Sequence, residues 1–171
     1  ISDNDFAKLT TDIVTYIGMR AFYNCRVLDS FNFPALLTEI GESAFEQVPF
    51  DTVFISASVQ KIDDFAFRSC PCYFNVDEAN GKYVSMDGVL FDKDISKLLQ
   101  GPPSLEGEYA VPPTVKMIFN YSFVNCNKLT SVQLPASVTV VGQNAFLSLP
   151  CRIIVDSENQ KFASLDGVLF S

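Results

Sequence analysis

Ile17-Gly18-Met19-Arg20-Ala21-Phe22-Tyr23-Asn24-Cys25 decides the fold, because the chain writes the same phrase four more times. The later copies are Ile40-Gly41-Glu42-Ser43-Ala44-Phe45-Glu46-Gln47-Val48, Ile62-Asp63-Asp64-Phe65-Ala66-Phe67-Arg68-Ser69-Cys70, Ile118-Phe119-Asn120-Tyr121-Ser122-Phe123-Val124-Asn125-Cys126 and Val141-Gly142-Gln143-Asn144-Ala145-Phe146-Leu147-Ser148-Leu149. Successive starts lie 23, 22, 56 and 23 residues apart. A period in the low twenties is too short for an independent domain and suits one coil of a solenoid, which buries its apolar edge only against its neighbours.

Aligned copies separate structural columns from the rest. Phe22, Phe45, Phe67, Phe123 and Phe146 form an unbroken column, and Val14, Leu37, Val59, Val115 and Val138 form a second one three residues before each start. Stacked coils turn such columns into ladders of packed side chains. Downstream of each phrase comes a short period-two alternation, which reads as one strand per coil. These stretches are Leu28 to Phe33, Phe50 to Ile55, Cys72 to Val76, Leu129 to Leu134 and Cys151 to Val155. Side by side they predict a parallel sheet on one face. The Ala-Phe segments, each long enough for about one helical turn, are expected opposite as short helical turns or loops, and the Val-x-x-Ile segments predict a second, shorter extended stretch.

The 56-residue interval holds an insert at about 80–103. Two apolar runs flanking Asp92-Lys93-Asp94 predict a β-hairpin, after which Tyr109-Ala110-Val111-Pro112 resumes the strand of an incomplete sixth coil. The insert begins again at Asn159 to Phe170, and Asp87 to Asp166, Phe67 to Phe146 and Cys72 to Cys151 are each 79 residues apart, so a larger block is duplicated. The expected organisation is one elongated solenoid over residues 1–171, with a second hairpin cut short at Ser171, belonging to a larger protein.

With these residues on the page, the chain resembles the BspA-type, or Treponema pallidum-type, leucine-rich-repeat family. The phrase itself carries the resemblance, together with Leu129-Thr130-Ser131-Val132-x-Leu134-Pro135-x-Ser137-Val138 and Ser85-x-Asp87-Gly88-Val89-Leu90-Phe91. Departures are Asp63 and Phe119 in place of the phrase glycine and Ser122 in place of its alanine. The resemblance implies a large cell-surface or secreted protein, an adhesin for host extracellular-matrix or cell-surface proteins or for other microbes, with no catalytic residues and no cofactor.

Composition narrows the partners. A formal charge of −8 disfavours nucleic acid and anionic membranes, since both need clustered Lys and Arg. No run of 18 apolar residues is present to span a bilayer. The lack of histidine removes Ser-His-Asp, Cys-His and His-metal chemistry together. Five cysteines suggest a disulfide or metal set, but Cys25, Cys70 and Cys126 share a slot with Val48 and Leu149, while Cys72 and Cys151 share one with Leu28, Phe50 and Leu129. They read as buried small hydrophobes. Asp87 and Asp166 each precede glycine and read as turn residues. Asp92, Asp94 and Asp87 offer oxygen ligands to calcium, against the plainer reading of a charged hairpin tip. Asn120-Tyr121-Ser122 fits a glycosylation sequon at a position expected to be exposed.

The expected working surface is the outward row of the strand sheet: Asn32, Phe54, Asn75, Ala110, Gln133 and Ile154. The function expected of it is protein binding or adhesion from the extracellular space or cell surface. A structural spacer carrying another domain is one alternative. A carbohydrate-binding module, with Tyr73, Tyr109 and Tyr121 as stacking platforms for a glycan, is another.

Overall fold

The computed structural model describes residues 13–171, which fall into two compact units divided after Gly88. Val14 is half-buried and opens the described part of the first unit. Its strands are β1 (Tyr16–Ile17), β2 (Glu39–Ile40), β3 (Thr52–Ile55), β4 (Lys61–Ile62), β5 (Tyr73–Val76) and β6 (Tyr83–Met86). The second unit carries β7 (Val89–Asp92), β8 (Lys97–Gln100), β9 (Glu106–Ala110), β10 (Met117–Ile118), β11 (Lys128–Leu134), β12 (Val140–Val141), β13 (Arg152–Val155), β14 (Ala163–Leu165) and β15 (Val168–Phe170). Each unit stacks three coils of a β-solenoid.

In the first unit the Val-x-x-Ile segments make the parallel ladder β1-β2-β4, with Ile17, Ile40 and Ile62 in one rung, and β3 pairs in parallel with β5. The second unit repeats the plan, with β8-β10-β12 in parallel on one side and β9-β11-β13 on the other. Thr130 is the extra residue of a bulge, since Leu129 faces Gly107 and Ser131 already faces Glu108.

The phenylalanine column is there. Phe22 stacks on Phe45 with ring centroids 5.1 Å apart, Phe45 on Phe67 at 5.5 Å, and Phe123 on Phe146 at 5.5 Å. Phe45, stacked on both faces, is fully buried, as are Phe67 and Phe123, whereas Phe22 and Phe146 are half-buried.

Of the two forms expected for the segment that carries this column, helical turns or loops, it takes the second, a run of irregular turns; no helix occurs among the described residues. Three residues past each start, Arg20, Ser43, Phe65, Tyr121 and Asn144 take positive φ, and four residues later Asn24, Gln47, Ser69, Asn125 and Ser148 do the same. A helix needs right-handed φ throughout, so an inversion every fourth residue forbids it. The inversions leave successive N–H groups pointing alternately inward and onward. Ala21, Tyr23 and Cys25 close turns within their own coil, on Gly18, Arg20 and Phe22, while Arg20, Phe22 and Asn24 donate to the carbonyls of Glu42, Ala44 and Glu46 in the next coil. Ser43, Phe45 and Gln47 repeat this onto Asp64, Ala66 and Arg68, as do Tyr121 and Phe123 onto Gln143 and Ala145. Backbone hydrogen bonding therefore runs along the stack on this side too, satisfying donors that would otherwise be buried without partners.

The first-coil strand expected at Leu28 to Phe33 does not form either. Coils two to five place Val53 and Ile55, Phe74 and Val76, Val132 and Leu134, and Ile153 and Val155 at the two inward positions; the first coil places Phe31 and Phe33 there. Phe31 packs on Phe22 and Phe45 at 5.0 and 5.2 Å, and Phe33 on Phe45 at 5.3 Å. These two half-buried rings are bulkier than the inward residues of most other coils, which accounts for a backbone held off the β3 ladder.

Each duplicated block closes on a turn. Asp166-Gly167, both at positive φ, joins antiparallel β14 and β15 as a type I′ hairpin, and Asp87-Gly88 takes the same pair of conformations. Gly88 carbonyl accepts the Phe74 N–H and the Ser85 hydroxyl accepts that of Val76, so the turn caps the edge of β5. Gly167 and Ser164 treat Ile153 and Val155 of β13 identically. The predicted β7–β8 hairpin also forms, and Asp92 is consumed by it: its carboxylate accepts from the N–H groups of Ser96 and Lys97 and from the Ser96 hydroxyl. No group of three potential metal ligands occurs among the described residues.

Candidate functional site

Alternation along the strands puts every residue of the expected row on the surface. Phe54 faces Asn75 across β3 and β5, and Gln133 faces Ala110 on one side and Ile154 on the other across β9, β11 and β13. All five are exposed, Phe54 at 48% and Ile154 at 46%, and Asn32 is exposed on the unpaired first-coil segment. Their inward neighbours Val53, Ile55, Phe74, Val132, Leu134 and Ile153 are buried. The row is therefore brought together in two sets of three, one in each unit.

Each set borders a hollow. In the first unit Phe31, Asn32, Phe33 and Ala35 of coil one, Phe54, Ser56, Ala57 and Ser58 of coil two, and Asp77 enclose about 590 Å³. In the second, Ala110, Val111, Gln133, Leu134, Pro135, Ile154, Val155 and Asp156 enclose about 220 Å³. Asp77 and Asp156 are counterparts and do the same local work: each Oδ1 accepts the N–H two residues on, from Ala79 and Glu158. Ser58 donates its hydroxyl to the Ala35 and Leu37 carbonyls, fixing the floor of the larger hollow to the preceding coil.

The tyrosines named as stacking platforms are differently placed. Tyr109 packs edge-on against Phe123 at 5.8 Å, and the Tyr121 hydroxyl accepts a hydrogen bond from Asn144. Tyr73 is exposed, but its ring lies over Gly88, where an added Cβ would come within 2.3 Å of it. Asn120 is half-buried rather than exposed, and its Oδ1 accepts the Gln143 N–H at 2.7 Å.

Cys70, Cys72 and Cys126 are buried and all five cysteines are free; Cys25 and Cys151 are only half-buried. Burial pushes the Cys126 thiol up to about 12, with the nearby Cys151 adding to it. Burial also raises Cys72, helped by its hydrogen bond with the Cys70 side chain. Thiols held neutral in this way are poor nucleophiles and poor metal ligands.

Two buried polar features escaped the sequence reading. Asn80 is fully buried, donates to the Ser56 and Val59 carbonyls and accepts from the N–H groups of Lys82 and Tyr83. Asn159 repeats all four bonds, so the recurrence of asparagine after 79 residues was the available signal. Glu46 is buried and binds the Ser43 hydroxyl and the Arg68 guanidinium of the next coil.

A profile described as the BspA type leucine rich repeat region matches residues 5–90 and 105–169 in six copies, which agrees with three coils per unit. The chain belongs to this BspA-type leucine-rich repeat family. No curated protein matches it. Among solved structures, the pneumococcal vaccine antigen PcpA is 28% identical with a TM-score of 0.73 over 78% of this chain and 34% of its own. A leucine-rich repeat protein from Eubacterium ventriosum is 27% identical, TM-score 0.72, over 84% of this chain and 45% of its own. A leucine rich cell surface protein from Faecalibacterium prausnitzii is 27% identical, TM-score 0.74, over 84% and 39%. The chain thus spans less than half the length of these relatives, which include a vaccine antigen and a cell surface protein.

Proposed function

We propose that this BspA-type chain is a non-catalytic binding module of a cell-surface or secreted protein, and that it holds a host extracellular-matrix or cell-surface protein against the outward strand row. The observation that carries this reading is Phe54, an aromatic ring half open to solvent at the centre of Asn32, Phe54 and Asn75 and on the wall of the larger hollow. A large apolar side chain left on a sheet face beside a concavity is what an interface anchor requires. The two relatives described as a vaccine antigen and a cell surface protein support the location.

The test is to immobilise the chain and pass matrix proteins, host surface proteins and glycans over it. At least one protein should bind, and Phe54→Ala should weaken it tenfold or more while leaving the thermal midpoint nearly unchanged. Silence against all proteins would leave the carbohydrate-binding role if a glycan binds and the spacer role if none does, and protein binding indifferent to Phe54, Asn75, Gln133 and Ile154 would overturn the row as its site.

A further inference from the structure

We infer that the 590 Å³ hollow of the first unit is a receptor site for an arginine side chain presented by a basic segment of a partner protein. The inference rests on the protein-binding reading above and names the chemistry of the partner at one site.

Three observations converge. First, Phe31, Phe33 and Phe54 line the hollow, so it has aromatic walls, and Ala35 and Ala57 leave them uncrowded. A planar guanidinium stacks on aromatic faces, and its three-carbon stem covers apolar surface. Secondly, Asp77 lines the same hollow, and while its Oδ1 is engaged with Ala79, a carboxylate has acceptor capacity for two or more further bonds, which a guanidinium can fill. Thirdly, Asp77 is the one charged residue lining the hollow, and the strand segments that carry the row have charge of one sign. The strand segments of this unit, 28–35, 50–58 and 72–80, carry Asp29, Asp51, Asp77 and Glu78 and no lysine or arginine. The corresponding segments of the second unit, 104–113, 128–136 and 151–158, mix Glu106, Glu108, Asp156 and Glu158 with Lys128 and Arg152. The larger, aromatic hollow and the purely acidic strand segments therefore coincide in one unit and are both missing from the other. A neutral apolar occupant would use the aromatic walls but not the charge; a cation on an apolar stem uses both.

The experiment uses the chain as it stands and a capped pentapeptide, Gly-Arg-Leu-Arg-Gly, alongside the same peptide with citrulline in place of arginine, which keeps the shape and removes the charge. Nuclear magnetic resonance titration should show the arginine peptide moving the signals of Asn32, Phe54 and Asp77 and leaving Ala110, Gln133 and Ile154 in place. The citrulline peptide should bind at least tenfold more weakly. Asp77→Asn, which keeps the Oδ1 acceptor for Ala79, and Phe54→Gln, which installs the second unit's residue, should each weaken binding at least fivefold without unfolding the chain. Equal binding of the citrulline peptide overturns the cationic occupant while leaving the broader protein-binding reading intact. Shifts spread over the acids of both units and indifferent to Phe54, or no shifts at all, overturn the site itself.

Discussion

The two hollows occupy corresponding places in a duplicated block, yet one is more than twice the volume of the other, about 590 against 220 Å³. In the second unit Ala110, Gln133 and Ile154 sit in one rung of a continuous three-strand ladder, so little space opens between the coils. In the first unit Phe31 and Phe33 fill inward positions that other coils give mostly to smaller Val, Ile or Leu, the first-coil segment is held off the ladder, and the gap beside β3 becomes the hollow. Regular repetition makes a flat, well-bonded sheet; a departure at two inward positions makes a concavity. Recognition is expected where the repeat is imperfect.

The comparison can be broken hardest at the column both units share. Phe45→Ala, with stacked rings on either side, should lower the unfolding free energy by about 3–5 kcal/mol, and Phe146→Ala, half-buried with one stacked neighbour, by clearly less. Urea unfolding of the two variants measures the difference. Next in size is the pair of asparagines. Asn80→Ala strips partners from two carbonyls and two N–H groups in a fully buried site and should cost about 2–3 kcal/mol, against about 1–2 for the half-buried Asn159→Ala, read in the same assay.

Proton linkage adds an effect confined to alkaline pH, carried in the second unit by Cys126. The Cys126 thiol stays neutral to about 12 when folded, against an ordinary value of 9.0 that the unfolded chain will show. Its contribution is whole below pH 9 and is lost as pH rises towards 12, because the unfolded state ionises first. The slope is at most about 1.4 kcal/mol per pH unit for one thiol. Cys126→Val, the side chain of Val48 in the same slot, should flatten that alkaline loss. A structural change, rather than an energetic one, sharpens the comparison most. Phe31→Val with Phe33→Ile gives coil one the inward residues of coil two, and hydrogen exchange should then reveal newly protected amides between 29 and 33 as the segment joins β3. Unchanged exchange there would show that ring size does not hold the ladder open.

What recurred from coil to coil or from block to block was legible in the sequence. The phenylalanine column, the parallel strands, the Asp-Gly turns and the apolar cysteine slots all follow from reading one phrase against the next. The outward row followed from alternation alone, down to the exposure of Phe54. Alternating backbone hand was hidden, because the residues at positive φ range from Arg20 and Phe65 to Asn144 and share no side-chain chemistry that marks them. Phe31 and Phe33 alternate as a strand should, and only their volume, compared across coils, betrays the missing ladder. Asn80 recurs once and Glu46 with Arg68 not at all, so a repeat alignment passes over both.

The central claim is that like side chains lie directly over like within each unit, which fixes what is interior and what is presented. Nuclear Overhauser contacts between the rings of Phe22, Phe45 and Phe67 test it most directly. The account predicts contacts from Phe45 to both others and from Phe123 to Phe146, with none from any of them to Phe54. A Phe45 ring that contacts neither neighbour, or that contacts Phe54, would contradict it.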